Sequence, residues 1–108
     1  MTMNKERWFK LYFVQQFGNI GSEITRARIA KESNDPMGEK KSLVRALDLI
    51  DCTVADTRWR GRLKELLRLR EVLCDWLLGT RCYSIEPRLL EEYCISFALI
   101  RNPPFSNV

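Results

Sequence analysis

The chain has 108 residues, 45% apolar and 30% charged, with a net charge of +4 and no histidine. That balance fits one ordered globular domain, long enough to bury a core without disulfide staples and too apolar for intrinsic disorder. Without imidazole, general acid–base work would need a carboxylate or lysine with a shifted pKa, Glu-x-x-His di-iron sites are excluded, and no Gly-x-x-x-x-Gly-Lys or Gly-x-Gly-x-x-Gly run is present to cradle a nucleotide.

In chain order, the first predicted element is a long helix over Lys5–Glu32. Phe9, Phe13, Phe17, Ile20, Ile24 and Ala27 recur at steps of four and three and fall on one face. Gly18 and Gly21 interrupt that helix, but the apolar phase holds across them, so the helix is expected to continue. The opening Trp8–Val14 stretch is short, is broken by Lys10 and lacks a small-residue cleavage site, so no signal peptide is expected.

Ser33-Asn34-Asp35-Pro36 marks a turn. A second helix is expected over Gly38–Ala55, turning Leu43, Ala46, Leu47, Ile50 and Val54 inward. Asp56-Thr57 reads as the cap of a third helix, Arg58–Leu78, with Leu63, Leu66, Leu67, Leu73, Cys74 and Leu77 inward and Gly79 as its stop. After a loop at Thr80–Tyr83, Ser84 is expected to cap a fourth helix reaching Arg101, with Leu89, Leu90, Tyr93, Phe97 and Ile100 inside. Asn102-Pro103-Pro104 ends it. The expected fold is all-α: an antiparallel up-down four-helix bundle with a long first helix, one domain over residues 1–102, and an extended tail at 103–108. No apolar run is long enough to span a bilayer.

Cys52, Cys74, Cys82 and Cys94 stand singly, with no Cys-x-x-Cys pair. They read as reduced core thiols of a cytoplasmic protein, with no metal site and no cofactor expected.

Three groups of residues stand out. Arg70 projects into the leucine stripe of the third helix, where a guanidinium needs a carboxylate; Glu23 is the expected partner in a buried ion pair, with Asp51 and Glu86 behind it. The alternative is that Arg70 holds a small anion. Second, Arg58, Arg60, Arg62, Lys64 and Arg68 surround Trp59, and residues 58–80 carry six basic and three acidic groups. Arg60, Lys64 and Arg68 share one face of a continuous helix, a pattern suited to nucleic acid or another polyanion. Third, Trp8 and Tyr12 point away from the first apolar stripe, as do Ile95 and Leu99 from the last, which leaves surplus apolar surface for an interface. The reading that follows is a small non-catalytic protein acting through protein–protein contact, as a homo-oligomer or an accessory or adaptor subunit. Nucleic-acid binding through the start of the third helix and anion binding at Arg70 are the alternatives.

Overall fold

The computed structural model describes residues 5–79 and 86–101, with only the backbone described for residues 5, 13, 14 and 96–101. The expected Ser84 cap, the Thr80–Tyr83 loop, Cys82 and the 103–108 tail lie outside the described residues, as do the side chains of Phe97, Leu99 and Ile100. The fold is all-helical: α1 (Lys5–Phe9), α2 (Phe13–Glu32), α3 (Pro36–Val54), a 3₁₀ segment (Thr57–Arg62), α4 (Leu63–Leu78) and α5 (Pro87–Arg101). α2 packs against both α3 and α5, and α4 packs along α3. Contacts between opposite ends show these pairs to be antiparallel. Gln16 near the start of α2 meets Asp56 beyond the end of α3, Glu39 of α3 meets Trp76 late in α4, and Glu32 closing α2 meets Arg88 opening α5.

The expected first helix is not one helix. It breaks at Lys10–Tyr12, well before Gly18 and Gly21, through which α2 runs unbroken. Tyr12 is extended (φ −75°, ψ 161°), and its N–H donates to the Gln15 Oε1 at 2.8 Å, the half of a capping box that glutamine supplies three residues in. The break strands backbone carbonyls that would otherwise be paired within a helix. Arg58 Nη2 takes that of Leu11 at 2.9 Å, and Gln16 Nε2 donates at 2.9 Å to the Trp8 carbonyl, which also accepts from Leu11 N–H at 3.0 Å. With the chain redirected, Trp8 and Phe9 exchange their expected places. Trp8 is buried at 3% exposure and Phe9 lies 37% exposed.

Beyond the break, the apolar period of α2 holds: Phe17, Ile20, Ile24 and Ala27 form the centre of the core. α2 ends at Glu32 with Ser33 as its cap, and the left-handed φ of 57° at Asn34 lets Asp35 N–H reach back to the Ala30 carbonyl at 2.8 Å. Asp35 then caps α3 by accepting from Gly38 N–H, with Pro36 in the first turn where its missing N–H is harmless. Gly79, at φ 70°, closes α4 as expected.

Two helices are rotated from their expected phase. α4 buries Leu66, Leu69, Val72 and Leu73 and leaves Leu63 and Leu67 exposed. α5 buries Leu90 and Cys94, while Leu89 and Tyr93 face outward. Tyr93 keeps an edge-on contact with Phe17, the ring centroids 6.0 Å apart.

Candidate interaction surface

Arg70 is not buried with Glu23. The rotation of α4 moves it to the flank beside α3, where its side chain remains 42% exposed. Its Nε donates to Asp51 Oδ1 at 2.7 Å, and its Nη1 lies 3.7 Å from Cys74 Sγ. Asp51, the second-choice partner, is thus the one it meets, and an exposed pair of this kind contributes little to stability. Glu23 is buried at 8% exposure, but its carboxylate accepts from Arg26 Nη1 at 2.8 Å and from Arg45 Nε at 3.1 Å. It joins α2 to α3. Glu86 is exposed and precedes α5, its carbonyl accepting the first N–H bonds of that helix.

The basic stretch is spread over two kinds of helix. Arg58, Trp59, Arg60 and Arg62 lie on the 3₁₀ segment, which kinks at Trp59 (φ −107°, ψ 28°) before α4 begins. The face expected to align Arg60 with Lys64 and Arg68 is therefore broken. Most of the charge is also neutralised. Asp56 caps the segment by accepting from Arg58 N–H at 3.1 Å, and the Arg58 guanidinium folds back on the same carboxylate with Nη2 at 2.6 Å from Oδ2. That guanidinium holds the Asp56 carboxyl below the ordinary carboxylate range, and a bond from Gln16 adds to the effect. Arg58 also lies over the Trp59 ring, 4.6 Å from its centroid, and the ring packs against the core. Arg62 meets Glu65 at 3.4 Å and Arg68 meets Glu71 at 4.0 Å. Arg60 and Lys64 are exposed and, among the described residues, have no acidic partner.

Of the four residues expected at an interface, Trp8 belongs to the core. Its indole Nε1 donates to Thr53 Oγ1 at 3.0 Å and pins α1 to α3. Tyr12 and Ile95 are exposed, and the Leu99 side chain lies outside the described residues.

The feature that the sequence pattern missed is on α4. Leu63, Leu67, Cys74 and Leu78 follow at steps of four, seven and four. At about 100° per residue they fall within a sector of roughly 60° on the solvent side of the helix. Leu67 is 43% and Leu78 is 72% exposed, and Cys74 and Leu77 are half-buried at the edge. Arg70 fills the gap in this stripe with its charge drawn aside onto Asp51. The outer side of α3, whose Asp51 receives Arg70, adds exposed Val44 and Met37. Surplus leucine on α4 was visible in the sequence; which half of it would be buried was not.

The described residues bring together no three cysteine and carboxylate side chains suited to holding a metal ion, and none of their helices is long and apolar enough to cross a membrane. Burial pushes the Cys94 thiol up to about 12, so this thiol is a packing group. Comparison with protein-family models, curated proteins and solved structures returned no match.

Proposed function

We propose that this chain is a non-catalytic helical protein that works through contact, and that it self-associates through the outer flank of α4 with the adjoining edge of α3. On this reading, α2 to α5 form the antiparallel bundle, and α1 braces one end of it. The carrying observation is the alignment of Leu63, Leu67, Cys74 and Leu78 on one solvent-facing line of a helix whose opposite side is already committed to the core. Single exposed leucines are ordinary on any surface, whereas an aligned row is what an interface needs. Free thiols at Cys74 and Cys94 suit a reducing compartment such as the cytoplasm. Polyanion binding is less well supported, because Arg58, Arg62, Arg68 and Arg70 each already face a carboxylate.

Sedimentation equilibrium over a wide concentration range tests this reading. The weight-average mass of the 12.7 kDa chain should rise toward twice that value with concentration. Leu67→Glu should stay near the monomer mass while keeping its helical circular dichroism. A wild-type chain that remains monomeric at several hundred micromolar, or a Leu67→Glu chain that associates as well as wild type, overturns it.

A further inference from the structure

Resting on that reading, we propose that the surface opposing the α4 flank is the same flank of a second copy, running antiparallel. Leu63, Leu67, Arg70, Cys74 and Leu77 are spaced four, three, four and three, the repeat that presents a seam to another helix. Beside the seam, on its solvent side, run Lys64, Glu71 and Leu78, seven residues apart. On its other side, Leu66 and Leu73 are buried in the chain's own core. This asymmetry selects the orientation. In a parallel pair, the Lys64–Glu71 line of one helix meets the opposite line of its partner, which here is Leu66 and Leu73 and cannot be reached. In an antiparallel pair, the two solvent-side lines meet each other. Lys64 then faces Glu71 of the second copy, and Glu71 faces Lys64, so two-fold symmetry supplies the ion pair twice.

Three further observations fit. Lys64 is exposed, with no acidic partner of its own among the described residues, and Glu71 is exposed as well, its carboxylate 4.0 Å from Arg68 Nε. Antiparallel helices oppose their dipoles favourably. The layers place Leu63 against Cys74 and Leu67 against Arg70 of the other copy. Since the Arg70 guanidinium is turned onto Asp51, its aliphatic stem is left to cover Leu67. One helix of 16 residues is about 24 Å long. Such a seam, even with Val44 added, stays below the ~800 Å² that each partner brings to a standard interface, so the dimer should be weak and reversible.

Charge swapping combined with cross-linking tests the pairing. Lys64→Glu and Glu71→Lys should each weaken dimerisation about tenfold, because each puts like charges face to face twice. The double variant Lys64→Glu/Glu71→Lys should restore it. Leu63→Cys in a Cys82→Ser background should be joined to Cys74 of the second copy by a short bismaleimide, with the 63–74 link identified by peptide mass spectrometry. Helical circular dichroism confirms that each variant is folded. If the chain still associates but either the charge rescue or the 63–74 link is missing, the antiparallel pairing falls and self-association stands. A chain that never associates takes both down.

Discussion

Gly18 and Gly21 occupy successive turns of the same helix, and the structure gives opposite expectations for replacing them with alanine. Both lie inside α2, where glycine is less favourable than alanine by about 0.8–1 kcal/mol. A Cβ added at Gly18 meets nothing within 4 Å, so Gly18→Ala should gain most of that amount. A Cβ added at Gly21 arrives 3.0 Å from the Cys94 Cβ and 4.0 Å from its Sγ. Carbon atoms prefer about 3.5–4.0 Å, so α2 and α5 must part by roughly half an ångström along their closest line. Overpacking of this kind costs about 1–3 kcal/mol, which outweighs the gain in helix propensity. The two single-methyl variants should therefore differ by about 2 kcal/mol, or roughly 10 °C in Tm for a chain of this size. Thermal and urea unfolding, followed by helical circular dichroism at a concentration low enough to suppress association, measures the gap. Equal stabilisation by both substitutions would show that Gly21 is not there to admit α5, and the packing argument would fail.

Other expectations follow from single contacts. Asp56→Asn should destabilise the fold by about 1.5–3 kcal/mol at neutral pH. Because the folded carboxyl titrates below its unfolded value near 3.9, its contribution is full above that pH and fades as the pH falls through it. The wild-type advantage should therefore shrink below about pH 4, and a gap that widened in acid would contradict the Arg58 clamp. Cys74 should react with a maleimide in the folded state, whereas Cys94 and Cys52 should react only on unfolding; peptide mapping that found Cys94 labelled first would refute its placement. Trp8→Phe should lower stability by about 1–2 kcal/mol through loss of the Thr53 bond and of buried volume, and Trp8→Ala by about 3–5. A near-neutral Trp8→Ala in urea titration would mean that α1 is not docked. Arg70→Met should change monomer stability by less than about 1 kcal/mol, since an exposed pair is being removed; a loss of several kcal/mol would return Arg70 to the interior.

Helical class was legible because it follows from local chemistry. The Phe17-Ile20-Ile24-Ala27 period, the Asn34-Asp35-Pro36 turn, the Asp56 cap and the Gly79 stop each depend on neighbours a few residues away, and each is found in the structure. The break before α2 was not legible in the same way. The apolar phase runs straight through Lys10–Tyr12, and the groups that satisfy the broken backbone include Arg58, 47 residues from Leu11. Only the Tyr12-to-Gln15 spacing was a local sign, and glutamine three residues into a helix is common enough to pass unnoticed. The exchange of Trp8 for Phe9 follows from that one turn.

The misreading of α4 has a different physical origin, and it leads to the proposed surface. Leu63, Leu66, Leu67, Leu69, Leu73, Leu77 and Leu78, with Val72, place apolar groups on more than half the helix circumference. A pattern that wide does not define its own inner face. The choice is made by anchors at the two ends: the 3₁₀ turn held by Asp56 and Arg58 leads into α4, and the Trp76 indole bonds Glu39 of α3 at 2.6 Å. Together they fix the rotation that buries Leu69 and exposes Leu67. The same rotation carries Arg70 out of the core to Asp51. Arg70 looks misplaced only when Leu63 and Leu67 are taken as interior. Once those leucines face solvent, an arginine between them lies at the solvated edge of a helix, and the question moves from what neutralises a buried charge to what covers an exposed row of leucines.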